Sequence, residues 1–120
     1  MSVFEKDLRL DWLLDFYGDV LPERTRAMMR QYYEDDLSLS EIAQSAGITR
    51  QGVRHLIKKA EEELLHLESC LGMAQRHTVL ADCAEQIARK ADPLLSSTDA
   101  SVQEAGREII RLAREMHTQL

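Results

Sequence analysis

The sequence predicts an all-α fold: a helix-turn-helix core, a long helix leading out of it, and a C-terminal helical extension. Three observations carry this. Ala, Leu, Glu, Arg and Gln dominate a chain of 120 residues that holds only five Gly and two Pro, so helix formers abound and helix breakers are few. Apolar residues recur at three- and four-residue steps along most of the chain, and no alternating run of β-branched residues reads as a strand. Around residues 37–65 a short capped helix, a glycine and a second capped helix follow one another, which is the order of a helix-turn-helix.

A first helix is expected over residues 3–20, with Phe4, Leu8, Trp12, Leu13, Phe16, Tyr17 and Val20 on its apolar stripe and Gly18 as a weak point near its end. Pro22 fits the first turn of a second helix, where a missing N–H costs nothing. Met28, Met29, Tyr32 and Tyr33 form that helix's buried stripe, and Glu34, Asp35 and Asp36 end it. Ser38 and Glu41 make a capping box that opens a short third helix, with Ile42 and Ala43 turned inward. Gly47 supplies a left-handed turn residue, and Thr49 caps a fourth helix. Val53, Ile57, Ala60, Leu64, Leu67, Leu71 and Ala74 then alternate four- and three-residue steps. That is a heptad seam, and the helix is expected to project well past Leu71.

Leu80, Ala84, Ile87 and Ala91 resume a stripe, and Asp92-Pro93 stops it. Ser96, Ser97, Thr98 and Asp99 offer several caps for a last helix over residues 100–116. Val102, Ala105, Ile109, Leu112 and Met116 share one of its faces. Two domains follow: a helix-turn-helix domain, residues 1–75, and a C-terminal helical extension, residues 76–120.

The chemistry concentrates in residues 39–58. A steep crossing of two helices needs a small residue on the first, which is Ala43, and a turn residue four positions on, which is Gly47. Ile42, Ile48, Val53 and Leu56 or Ile57 stand where buried aliphatics must lock the pair. Thr49, Arg50, Gln51, Arg54, His55, Lys58 and Lys59 are left as the candidate nucleic-acid-binding residues. A second helix so placed enters a major groove with its N-terminal side chains against base edges. Arg50 and Arg54 suit guanine, Gln51 suits adenine, and Lys58 and Lys59 suit phosphates. The amide groups behind Thr49 form an anion site at the helix start.

Net charge is −6, which opposes binding to a polyanion, yet its distribution matters more than its sum. Residues 49–59 hold Arg50, Arg54, Lys58 and Lys59 with no acid, and Arg24, Arg26 and Arg30 form a second basic group. The acids cluster elsewhere, at Asp7, Asp11, Asp15 and Asp19, at Glu34 to Asp36, and at Glu61, Glu62 and Glu63. With 44% hydrophobic residues the chain is too apolar for a disordered segment. No signal peptide and no apolar run of about 20 residues is visible, so a cytoplasmic protein without membrane contact is expected.

Residues 21–26, Leu-Pro-Glu-Arg-Thr-Arg, and residues 39–60 resemble the promoter-reading C-terminal domain of bacterial sigma factors (sigma factor region 4). A closer resemblance is to the YlxM family of small helix-turn-helix proteins. It rests on "LDFY" at residues 14–17, "QYYEDDLSLSEIA" at 31–43 and "TRQGV" at 49–53. It covers residues 5–75 and fades beyond Met73. Members of that family are encoded beside components of the signal recognition particle, and the resemblance implies a regulator or accessory of that pathway, binding its RNA or protein. The family pattern commonly carries a larger residue where this chain has Gly52.

Other constellations carry less. His55, His66 and His77 recur every eleven residues, about 16 Å apart on a straight helix, too far to share a metal ion. Cys70 and Cys83, thirteen residues apart in one helical segment, would lie about 20 Å apart, so they are read as reduced, buried or half-buried structural thiols. Asp35, Asp36 and Glu41 read as a solvated loop and a cap. No catalytic motif or cofactor loop is present, so an enzyme is not expected and no cofactor or metal is implied. Two functions compete: nucleic-acid binding, to DNA or RNA, and a helical adaptor for signal recognition particle components with the helix-turn-helix as scaffold. The seam over residues 53–74 is longer than a four-helix core is expected to cover. A homodimer is therefore preferred over a fold-back of the last helices.

Overall fold

A computed structural model describes residues 7–120. Among these residues there are six α-helices and no strand: α1 Leu8–Tyr17, α2 Glu23–Tyr33, α3 Leu39–Ala46, α4 Arg50–Leu71, α5 Met73–Ala91 and α6 Ala100–Gln119. Short 3-10 turns follow α1 at Gly18–Val20 and α5 at Asp92–Ser96. The chain divides into two compact units, Met1–Ala74 and Gln75–Leu120.

In the first unit α1 and α2 lie against α4, and α3 packs on both α2 and α4. The core holds Leu10, Leu13, Leu14, Tyr17, Met28, Met29, Tyr32, Ile42, Val53, Ile57 and Leu64. The stripe expected on α1 is shifted. Leu10 and Leu14 are buried, whereas Leu8 is 79% and Val20 58% exposed. The helix starts at Leu8 because the Asp7 side chain caps it by accepting from the Arg9 amide. The rest of the expected helix, including Phe4, lies outside the described residues. Trp12 and Phe16 are half-buried and meet edge to face, with ring centres 5.9 Å apart.

The heptad seam finds its cover inside this unit. Val53, Ile57, Ala60 and Leu64 are buried, and Ala74 joins the same core. A second subunit or a fold-back is therefore not needed to shield the seam as far as Leu64. The projecting helix is also shorter than expected. It ends at Leu71, where Gly72 takes a left-handed conformation (φ 60°) and its amide closes on the Glu68 carbonyl. A glycine adopts that backbone without the Cβ penalty of other residues.

The turn from α4 into α5, within the first unit, carries a small network. Tyr17 donates its hydroxyl proton to Glu68 at 2.6 Å and accepts from the Met73 amide at 3.0 Å. Glu68 also accepts from the Ala74 amide. The first amides of α5, which no helical carbonyl can reach, are thus satisfied by side chains of α1 and α4. Burial, and then the Glu68 contact, hold the Tyr17 phenol above its ordinary pKa.

The second unit is a helical hairpin. Asp99 caps α6 through the Ser101 amide, and α6 packs on the 3-10 turn that follows α5. Its buried positions are Ala84, Ala88, Ala91, Gly106 and Ala113. The stripe expected on α5 holds two of these, Ala84 and Ala91, and the stripe expected on α6, Val102, Ala105, Ile109, Leu112 and Met116, holds none. Leu80, Ile87, Ile109, Leu112 and Met116 are each 38% exposed or more. The buried stripe is the one of small residues, beside the more apolar one.

Candidate nucleic-acid interface

Ser38 and Glu41 satisfy each other's backbone amides, so α3 begins in a complete capping box. It ends at Gly47 in a left-handed conformation (φ 71°), with the amides of Gly47 and Ile48 both on the Ala43 carbonyl. Thr49 then caps α4 by accepting from the Gly52 amide at 3.0 Å. Ile42, Ala43, Val53 and Ile57 are buried between the two helices and the rest of the core, while Leu56 is half-buried. The tight turn and these four side chains set how α4 is presented. Arg24 of α2 adds a strut by donating to the Ala46 carbonyl at 3.0 Å, at the open C-terminal end of α3.

Thr49, Arg50, Gln51, Arg54, His55, Lys58 and Lys59 are all exposed. Gln51, Arg54, His55, Lys58 and Lys59 lie on the side of α4 away from Val53, Ile57, Ala60 and Leu64, as their helical offsets require, whereas Thr49 and Arg50 are exposed because they stand at the start of the helix. The stretch from Arg50 to Lys59 spans about 13 Å of helix. His55, Lys58, Lys59 and Glu62 line one shallow hollow on this side. The acids that follow bound the basic run. Glu61 is engaged by Tyr33, which donates its hydroxyl proton to that carboxylate, whereas Glu62 and Glu63 are exposed.

The second basic group is not a comparable surface. Arg24 serves the end of α3, Arg26 pairs with Asp19 at 2.9 Å, and Arg30 pairs with Glu34 at 2.6 Å and reaches Asp15 at 3.9 Å. Among the described residues Arg50, Lys58 and Lys59 have no ion pair. The contrast follows from the sequence neighbourhoods. Acids flank α2 at both ends, and none lies within residues 49–59.

Gly52 faces back toward the cap. A Cβ there would meet the Thr49 hydroxyl at 3.1 Å and Ile48 at 3.6 Å. Its smallness therefore accommodates the turn. Cys70 and Cys83 are both exposed free thiols, in different helices, which corrects the expectation of buried thiols in one helix. His66 lies against Cys70, with Nε2 3.7 Å from Sγ, as i and i+4 neighbours on α4. His55 and His66 are exposed and His77 is half-buried. Among the described residues no helix is long and apolar enough to cross a membrane.

Comparison with known proteins matches this architecture. The chain is similar to a UPF0122 protein of Symbiobacterium thermophilum, 35% identical over 106 residues, which are 88% of this chain and 92% of that one. It is similar to a UPF0122 protein of Clostridium kluyveri at 36% over 98 residues, 82% and 88% of the two chains. A third relative, from Listeria welshimeri, is 37% identical over 92 residues, 73% and 84% of the two. The family profile described as "Putative helix-turn-helix protein, YlxM / p13 like" matches residues 4–104. The likeness thus runs through α5 and into α6, well beyond Met73 where the sequence resemblance was expected to fade. The chain belongs to this YlxM/p13-like helix-turn-helix family.

Proposed function

We propose that this protein binds nucleic acid through the outward face of α4 and serves as a regulator or accessory factor of the signal recognition particle pathway in the cytoplasm, without a catalytic role. The observation that carries the reading is the contrast between two basic groups. The arginines of α2 are spent on internal partners, while Arg50, Lys58 and Lys59 stand exposed on a helix that a left-handed glycine and two caps hold in place. In this reading Arg50, Gln51 and Arg54 meet base edges, and Lys58, Lys59 and His55 meet phosphates. Thr49 orients the helix start, where the amides of Arg50 and Gln51 remain for a further phosphate. DNA and RNA, including the RNA of the particle, offer the same phosphate chemistry. Residues 1–75 are the binding domain and residues 76–120 its extension. A homodimer would offer two recognition helices to a twofold site.

The test is a titration of labelled DNA and RNA against the wild type and an Arg50→Ala, Arg54→Ala, Lys58→Ala triple variant. Wild-type affinity should fall steeply with salt, because binding releases counterions. The variant should keep its helical content and lose binding, with a shallower salt slope. Equal binding by the variant would overturn the reading. Retention on purified signal recognition particle protein, unaffected by the three substitutions, would instead assign the chain to an adaptor role.

A further inference from the structure

Beyond its basic run, α4 sets an imidazole beside a thiol. His66 and Cys70 are i and i+4 neighbours, both exposed, and Cys70 is a free cysteine. Its Sγ lies 3.7 Å from Nε2 of His66 and 4.0 Å from Nδ1. Cys83, also a free thiol, has no such neighbour. The residues three and four positions from it on α5 are Val79, Leu80, Gln86 and Ile87.

The separation of sulfur and nitrogen matches the bite of a tetrahedral ion. A Zn–S distance of about 2.3 Å and a Zn–N distance of about 2.0–2.1 Å, at the tetrahedral angle, put the two donor atoms about 3.5–3.6 Å apart. Rotation of the exposed imidazole about its second side-chain torsion, whose well is broad, aims a ring nitrogen at the shared ion. The surroundings favour a cation. Residues 60–75 carry Glu61, Glu62, Glu63 and Glu68 and no Lys or Arg. Cys70 stands in the last turn of α4, which holds no basic side chain and where the aligned peptide dipoles present their negative end.

We infer that His66 and Cys70 bind a divalent ion of the zinc class, whose preference for mixed nitrogen and sulfur ligands this pair meets. Among the described residues no group of three or more His, Cys, Asp or Glu could hold a metal, so water completes the shell and the ion is exchangeable. On binding, the Cys70 S–H bond breaks, a sulfur–metal bond forms and the proton passes to water. No electron is transferred. The site goes beyond the nucleic-acid reading of α4 and does not depend on it. It also differs from a site shared by histidines: the partner of His66 is a cysteine one turn on, whereas His55 and His77 are eleven residues away.

Cobalt(II) titrated into the full-length chain, without oxygen and with a phosphine reductant, tests the pair, because a thiolate bound to this ion absorbs in the near ultraviolet. The band should appear in the wild type, disappear when zinc displaces cobalt, persist in Cys83→Ser and be lost in Cys70→Ser. His66→Ala should weaken binding by at least about tenfold, since even an outer partner of a metal ligand is worth that much. A wild type without the band would overturn the site. So would a band that survives in Cys70→Ser, which assigns the ion to Cys83. Undiminished affinity in His66→Ala would overturn the pairing. Unmutated protein gives a second reading that needs no variant to fold: zinc should slow alkylation of Cys70 several-fold and leave Cys83 unchanged. Cys70 reacting at the same rate with and without zinc would also overturn the site.

Discussion

Among the described residues of Met1–Ala74 the largest fully buried side chains are Leu13, Leu14, Met29, Ile42, Ile57, Leu64 and Val53, with Ala43, Ala60 and Ala74 buried beside them. In Gln75–Leu120 the buried positions are alanines and a glycine, Leu94, Leu95 and Ile110 are half-buried, and Leu80, Ile87, Ile109, Leu112 and Met116 are exposed. Both units are helical and both are apolar at three- and four-residue steps. The difference lies in what each contact returns. Burial stabilises by about 25 cal/mol per Å² of apolar surface, so a core of leucines yields far more than a seam of methyl groups. Small residues instead let two backbones approach closely and gain by dispersion over short distances. The first unit is therefore built to stand on its contacts, and the second holds its large apolar area in reserve.

The strongest way to break this comparison is to truncate one leucine in each unit under dilute conditions. Leu64→Ala leaves a hole in a closed core and should cost about 2–5 kcal/mol. Leu112→Ala removes a half-exposed side chain and should cost less than about 1 kcal/mol. Urea unfolding followed by circular dichroism measures both. Equal costs would mean that the hairpin buries Leu112 as the first unit buries Leu64.

Gly106 sharpens the same point from the other side. A Cβ at this position would lie 2.8 Å from the Leu94 Cβ and 3.4 Å from the Ala91 carbonyl oxygen. Gly106→Val should therefore force α6 off its turn and destabilise the hairpin by about 1–3 kcal/mol. Hydrogen exchange should quicken in α6 while the amides of α3 and α4 keep their protection. Unchanged exchange in α6 would show that the small residues are not the contact.

Much of this was legible in the residues. Ser38, Glu41, Gly47 and Thr49 each act through local backbone chemistry, and each sits where its type predicts. Met28, Met29, Ile42, Val53 and Ile57 are buried as their spacing requires. What the pattern missed depends on partners remote in sequence, except at Gly72, where the cause is local. Leu8 and Leu10 are equally apolar, and only the position of α4 decides that Leu10 is covered. Leu67 and Leu71 continue a perfect heptad, yet Gly72 ends the helix with one backbone conformation. In α5 and α6 two stripes run side by side: hydropathy favours the larger residues, and the buried ones are the smaller. On the α4 face, spacing located the exposed cations. That Arg24, Arg26 and Arg30 are engaged could be read only once α2, α3 and the turn after α1 were in place.

The recognition turn tests whether local chemistry alone fixes how α4 is presented. A Cβ on Gly47 would meet nothing within 4 Å, so any cost of substitution comes from the backbone angle. Gly47→Val should destabilise the first unit by about 1–3 kcal/mol, the strain of a β-branched residue at positive φ. Gly47→Asn, which tolerates that region, should recover most of the loss. Thermal melts of both variants measure this, and equal destabilisation by Asn and Val would point to a steric clash rather than strain.

The smallest expected effect concerns the strut from α2 to α4. Tyr33 donates to Glu61 just beyond the basic face, and burial, followed by that contact, raises its phenol pKa well above the ordinary value. In the unfolded chain the phenol titrates near pH 10. Below that pH both states keep the proton, and the contribution of Tyr33 to stability is complete. As pH rises above about 10 the unfolded state releases its proton first, so stability falls until the folded state also ionises. Tyr17 and Tyr32 are raised in the same direction, each chiefly by burial, and they add to the same alkaline loss. Tyr33→Phe should therefore cost about 0.5–1.5 kcal/mol near neutral pH, the net worth of one hydrogen bond. It should also flatten the alkaline fall by about one proton without abolishing it. Urea midpoints measured from pH 7 to pH 11 (about the range a phenol needs) give both numbers. An unchanged alkaline slope would show that Tyr33 ionises alike in both states, and that the strut does not tie α2 to the presented helix.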